Sequence, residues 1–236
     1  MVVDIEAHAP PASPPPLLAL SSAVARAVDA CKRAGVAVNA DQPAASFAEL
    51  DARVRGLLAG YLAAGHADWR QYAQWNEHHY TRHLVDSCDD YELMLICWAP
   101  GQRSRVHNHA GSHCWLTVVD GGVEESLYAP VAAGGGGEER SAAPALPGVL
   151  GATRPCPPLH HLATAQLGAG GVAYINDKVA LHAVGCPQIC PGQGAVTLHL
   201  YCPPIRRVHL FEEDNNRVVQ RVPGFFTVRG QKSAAA

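Results

Sequence analysis

The chain has 236 residues, of which 48% are hydrophobic and 17% charged, the composition of a globular protein rather than a disordered one. Lys and Arg number 18 against 21 Asp and Glu, a net charge of -3, so there is no basic footprint for nucleic acid or an anionic membrane surface. No window approaches the roughly 20 apolar residues of a membrane span, and partners of both kinds are excluded from the reading.

Residues 1–16 are rich in Pro and Ala and are expected to form a flexible lead. The apolar stretch from Leu17 follows Asp4, Glu6 and a proline run instead of basic residues, which makes it a poor secretion signal. Leu17 to Ala34 has a helical pattern and stops at Gly35. Ser46 and Glu49 have the spacing of a capping box at the start of a second helix, whose apolar face is Val54, Leu57, Leu58 and Tyr61. A third short helix is expected from Ala67 to Trp75. These elements make residues 17–80 a helical N-terminal part.

Beyond residue 80 the pattern changes to short apolar segments. Tyr91 to Trp98 reads as a buried strand. Arg105 to His109, His113 to Val119, Val123 to Tyr128, Leu162 to Leu167, Val172 to Ile175, Val196 to Tyr201, Arg207 to Phe211, Arg217 to Val222 and Phe225 to Val228 follow at turn-punctuated intervals. Such spacing predicts a mainly β fold, a sandwich or barrel spanning 81–230. Pro130 to Pro158 contains Gly134 to Gly137 and few large apolar side chains, and is expected to be an inserted flexible loop. Residues 231–236 form a tail. With no long apolar helix left over, a monomer is expected.

Thirteen histidines stand out, as do eight cysteines in a chain large enough to need no disulfide framework. The cysteines are best read as reduced thiols, which points to the cytoplasm. His107 and His109 are two apart on a predicted strand, so their rings share a face. Neutral imidazole is the commonest protein ligand for transition metals, although His-x-His alone also describes two core or surface histidines. The surrounding stretch reads Gly-x5-His-x-His-x4-Cys-x6-Gly, from Gly101 through Cys114 to Gly121. This resembles the first metal motif of the cupin superfamily, with Cys114 where a Glu ligand usually stands. Gly171, a turn at Asn176-Asp177 and His182 entering the next strand have the spacing of the second cupin motif. The implied fold is a cupin-type jelly roll, and the implied ligands are His107, His109 and His182. Three neutral ligands leave the metal's full charge and open positions for a soft anionic ligand such as a thiolate. Zinc with hydrolytic chemistry is the competing reading of the same ligand set.

Longer stretches narrow the resemblance. Tyr80-Thr81-Arg82-His83-Leu84-Val85-Asp86, Cys97-Trp98, His107-Asn108-His109 with Ser112-His113-Cys114, Ala173-Tyr174-Ile175-Asn176-Asp177, and Leu198-His199-Leu200-Tyr201-Cys202-Pro203-Pro204 resemble cysteine dioxygenases in order and separation, over about residues 80–212. The resemblance implies an Fe(II) thiol dioxygenase that converts L-cysteine and O2 to cysteine sulfinic acid. It makes His107, His109 and His182 the iron ligands and Arg82, with Tyr80 beside it, the anchor of the substrate carboxylate. Cys114 and Tyr201 match the pair that forms a thioether in animal-type members. His199 holds the Tyr201 phenol or steers oxygen, with Thr197 and Trp98 in support. Two departures leave these groups in place: Thr197 stands where a Ser is usual, and Asn108, where an Asp is usual, should face away from the metal. A dioxygenase of 3-mercaptopropionate or cysteamine, and a non-catalytic metal-binding cupin, are the alternatives. Cys186 and Cys190, bracketed by prolines, lack a second Cys or His pair and are read as two spare thiols in a loop.

Overall fold

A computed structural model describes residues 15–40, 44–131 and 150–233 of the chain. It opens with two helices. In α1 (Pro16–Arg33), Leu17, Leu20, Val24, Val28 and Cys31 recur at helical spacing and are all buried. Pro16 sits in the first turn, where its missing N–H goes unnoticed, and Lys32 and Arg33 lie in the last turn beside the exposed carbonyls. Gly35, at φ 75°, ends the helix in the left-handed region. The second helix, α2 (Ala44–Ala63), buries Leu50, Val54, Leu58 and Tyr61 along one face. It begins at Ala44, so Ser46 lies inside the helix and not at its start. The third helix is shorter than expected, a single 3-10 turn at Asp68–Gln71.

The body is a pair of seven-stranded sheets, the two-layer β architecture expected from the strand spacing. The strands in chain order are β1 (Thr81–Ser87), β2 (Glu92–Trp98), β3 (Val106–His107), β4 (His113–Asp120), β5 (Gly122–Pro130), β6 (Thr153–Pro155), β7 (Leu159–Gly168), β8 (Val172–Ile175), β9 (Leu181–Gly185), β10 (Ala195–Cys202), β11 (Val208–Glu212), β12 (Arg217–Arg221), β13 (Thr227–Val228) and β14 (Gln231–Lys232). One sheet has the order β14-β13-β1-β2-β10-β4-β8, the other β6-β12-β11-β3-β9-β5-β7. All named pairings are antiparallel except β1 with β13.

Burial of both faces explains why β2 reads as a nearly continuous apolar run. Leu93, Leu95 and Cys97 of β2, with Leu198, Leu200 and Cys202 of β10, face the helices and join their core. Met94, Ile96 and Trp98 face the second sheet. The same period turns Thr197, His199 and Tyr201 of β10 inward, between the sheets. Gly121, at φ 69°, makes the tight turn from β4 to β5, and a Cβ there would overlap the Gly194 carbonyl.

Several expectations are corrected. β1 is a full strand at the start of the β body that was not among the expected segments. Of the expected 130–158 loop, residues 132–149 lie outside the described residues. Thr153–Pro155, however, pairs with β12, because Val218 and Val219 leave ladder positions there for Arg154 and Thr153. The expected tail likewise starts with β14, which closes a hairpin on β13. The expected lead, residues 1–16, lies outside the described residues apart from Pro15 and Pro16. Among the described residues, no helix is long and apolar enough to cross a membrane.

Candidate metal centre

His107 and His182 come together because β3 and β9 are neighbours and the two histidines are register partners. Their Nε2 atoms lie 3.2 Å apart. The expected strand from Arg105 to His109 is only two residues long, so His109 is placed by other means. The Asp177 carboxylate accepts the His109 backbone N–H at 2.5 Å and the Gly111 N–H at 3.1 Å. The third ring thereby meets the other two, with centroids 5.4 Å from His107 and 4.6 Å from His182. One nitrogen from each of His107, His109 and His182 lies within 4.8 Å of the others.

The donors suit a cation. His107 Nδ1 is 2.9 Å from the Arg105 carbonyl, and His182 Nδ1 is 2.7 Å from a Glu125 carboxylate oxygen. Each Nδ1–H therefore donates outward, and the Nε2 lone pairs converge. His109 Nδ1 faces the Asp177 carboxylate at 3.7 Å, and its Nε2 is buried without a hydrogen-bond partner, an arrangement expensive to keep unless a ligand is present. Removal from water, reinforced by His109, pushes His107 down to about 3, and burial beside His107 and His109 holds His182 well below its ordinary value. Neutral imidazoles are the ligating form.

The other expected residues divide between two walls. Trp98 Nε1–H donates to Thr197 Oγ1 at 2.8 Å, Thr197 Oγ1 lies 2.9 Å from His199 Nε2, and His199 Nδ1 is 3.4 Å from the Tyr201 hydroxyl. Burial, aided by the Arg82 charge, pushes His199 down to about 3, so this row is neutral. Tyr201 and Cys114 are direct register partners across β10 and β4, both buried. Burial pushes both groups well above their ordinary values, Glu125 adding to the effect on Cys114 and Cys114 to that on Tyr201.

Arg82 is held by the Gly224 carbonyl at 3.1 Å, by Glu92 at 3.7 Å and by the Phe225 ring at 4.9 Å. Tyr80 stacks on Trp98, with centroids 4.6 Å apart. A cavity of about 510 Å³ joins these parts: Arg82, Tyr80, His199 and Tyr201 line it together with His107 and His182. His78 and His79, which sequence reasoning assigned no chemistry, stand at its rim. The Asn108 side chain accepts the His209 N–H at 2.8 Å and donates to Asp177 at 3.4 Å.

Sequence reasoning missed Glu125, Asp177 and Glu92. The signal was present for two of them. Glu125 alternates with Val123 and Leu127, and Glu92 with Met94, which puts each acid on an apolar face. Burial pushes both carboxyls up, opposed at Glu92 by the Arg82 charge.

The model of the family described as cysteine dioxygenase type I matches residues 45–214. The chain belongs to the cysteine dioxygenase type I family. It is 30% identical to the human cysteine dioxygenase type 1 over 180 residues, covering 75% of this chain and 78% of the human protein. The zebrafish (Danio rerio) cysteine dioxygenase type 1 is 29% identical over 161 residues, 68% of this chain and 69% of that protein. A solved protein with a double-stranded beta-helix domain from Klebsiella pneumoniae is 16% identical with a TM-score of 0.39, covering 61% of this chain and 93% of its own. In this cysteine dioxygenase family member, the matched span contains every residue of the three-histidine group, the Trp98–Tyr201 row and Arg82.

Proposed function

We propose that the protein oxidises L-cysteine with O2 to cysteine sulfinic acid, using Fe(II) held by His107, His109 and His182. The observation that carries this reading is one cavity lined by His107 and His182 of the convergent three-imidazole group and, on another wall, by the half-buried Arg82 guanidinium. When bound, the iron supplies the redox chemistry that moves both atoms of O2 to a thiol sulfur.

The chain's own groups bind and orient. Arg82 offers a planar fork that stays charged at any working pH and matches a carboxylate bidentately. Its contacts with Gly224, Glu92 and Phe225 fix that fork before substrate arrives, which limits the entropy lost on binding. Three neutral imidazoles add no negative charge, so a thiolate is not repelled by its neighbours.

Tyr201 completes the pocket. The 2.9 Å contact of Thr197 with His199 is shorter than the 3.5 Å one with the Ile96 carbonyl. The Thr197 hydroxyl therefore donates to His199 Nε2, and Nδ1–H donates to the Tyr201 oxygen. That leaves the Tyr201 O–H as a donor to the cavity, where it orients substrate or oxygen. Cys114, opposite Tyr201, is the partner for a thioether. The crosslink removes two hydrogens, so it lowers the chain's mass by about 2 Da in a form that reductants do not reverse.

The test is anaerobic loading with Fe(II), then oxygen uptake with L-cysteine, 3-mercaptopropionate and cysteamine side by side. L-Cysteine is expected to give the fastest uptake and a product about 32 Da heavier. Faster uptake with 3-mercaptopropionate would keep the chemistry and overturn the substrate. Bound iron without uptake on any thiol would reduce the protein to a metal-binding cupin.

A further inference from the structure

Cys186 and Cys190 stand apart from the metal centre, at the two ends of a bend that follows β9. Their sulfurs are 3.2 Å apart and both thiols are free. A disulfide needs about 2.05 Å, so closure asks for little over about 1 Å of movement. Pro187 and Pro191 fix φ on either side of the bend and narrow what the intervening chain can do. Ile189, between the cysteines, is 95% exposed, which places the apex of the bend in solvent. Cys186 is buried and Cys190 half-buried, so Cys190 is the more accessible of the pair.

The bend is tied to the cavity wall. The Cys186 N–H donates to the Gln102 carbonyl at 2.8 Å, and the Cys186 carbonyl accepts the Gly101 N–H at 3.1 Å. Gly101 and Gln102 line the cavity. The hydrogen bonds anchor Cys186, and the exposed end of the bend has the freedom to close.

We propose that Cys186 and Cys190 form a redox site, a dithiol that low-molecular-weight disulfides oxidise to an intramolecular disulfide. The Cys190 thiolate attacks one sulfur of RSSR, forming a Cys190–S–S–R bond and releasing RS⁻. Cys186 then attacks the Cys190 sulfur, the mixed disulfide breaks, and a second RS⁻ leaves. The two protons of the protein thiols pass to the two RS⁻ groups, so one RSSR becomes two RSH while the protein loses two electrons and two protons. The greater exposure of Cys190 assigns the first attack to it and keeps the buried Cys186, whose thiol is pushed up by burial, for the second. Neither step involves the metal centre or oxygen turnover.

The full chain, without added metal and under argon, would be incubated with cystine or oxidised glutathione, alkylated, digested with trypsin and weighed. The peptide 179–206 carries Cys186, Cys190 and Cys202. The expected product has Cys202 alkylated and Cys186 joined to Cys190, about 2 Da below the dithiol and restored by a phosphine reductant. In Cys186→Ser, Cys190 should retain a stable mixed disulfide with the reagent's thiol. In Cys190→Ser, Cys186 should stay reduced. A wild-type protein in which both sulfurs remain alkylatable, or in which the mixed disulfide persists without closing, would overturn the proposal. So would equal oxidation of Cys186 in Cys190→Ser.

Discussion

A Glu125 carboxylate oxygen on β5 lies 2.7 Å from Nδ1 of His182 on β9. The two strands are neighbours, and the alternation that turns His182 between the sheets turns Glu125 the same way. The acid receives the Nδ1–H, fixes the tautomer and aims Nε2 at His107. Removing such a partner commonly lowers metal affinity about 10- to 100-fold. Glu125→Ala should therefore weaken Fe(II) binding by that factor in competition with a chromophoric chelator. Glu125→Gln should lose much less, because its amide oxygen still accepts the Nδ1–H. Wild-type affinity in the alanine variant would show that β9 alone orients His182.

The residues of this site were legible through the resemblance to cysteine dioxygenases, and strand alternation added only which of them share a face. Thr197, His199 and Tyr201 recur at period 2, and the structure puts them in one hydrogen-bonded row. His107 and His182 were legible through motif spacing, but their direct pairing depends on β3 meeting β9, a contact between segments 75 residues apart in sequence. Asp177 was seen only as part of a turn, since its role is to place the backbone around His109. Of the missed strands, β1 and β14 pair with their neighbours β2 and β13, whereas β6 pairs with the distant β12. Thr153–Pro155 has little apolar character of its own and is a strand because β12 offers it an edge. The second helix starts two residues before the expected cap at Ser46, within the spread of helix ends.

Arg82 should govern binding. Loss of a charge-assisted contact is worth about 1.5–3 kcal/mol, or roughly 10- to 150-fold in kcat/KM. Arg82→Ala should show that loss with L-cysteine mainly as a raised KM, with thermal stability checked because Glu92 would lose its cation. Arg82→Lys should recover only part, since an ammonium cannot make the two parallel bonds. An unchanged dependence of oxygen uptake on cysteine concentration in the alanine variant would refute the assignment.

Thr197 links two buried groups that have opposite needs: Trp98 Nε1–H requires an acceptor, and His199 Nε2 requires a donor. Thr197→Val nearly preserves shape while stranding both, at about 1–3 kcal/mol for each group left unsatisfied. Chemical denaturation should show the loss, and oxygen uptake should fall with it as His199 loses its tautomer. Thr197→Ser keeps the hydroxyl and should restore both properties. A valine variant as stable as wild type would mean that water substitutes for the hydroxyl.

Asp86 supplies a pH-dependent tie between the helices and the β body. Its carboxylate accepts the Ser21 hydroxyl of α1 at 2.8 Å, the Tyr91 hydroxyl at 3.2 Å and an Arg229 N–H at 3.1 Å. Burial pushes the carboxyl up, but hydrogen bonds from Ser21, the Ser87 backbone, Tyr91 and Arg229 outweigh it and hold Asp86 below its ordinary value. A carboxyl depressed by folding contributes its full stabilisation above the unfolded value of about 3.9, and loses it as pH falls through the lower folded value. Asp86→Asn should thus be less stable than wild type by about 1–2 kcal/mol at pH 7. The gap should shrink only below about pH 4, as the wild-type carboxyl takes up its proton. Urea unfolding of both proteins from pH 7 to pH 3 checks this. A gap that stays constant across that range would mean that the substitution acts through packing and hydrogen-bond geometry, not through the charge.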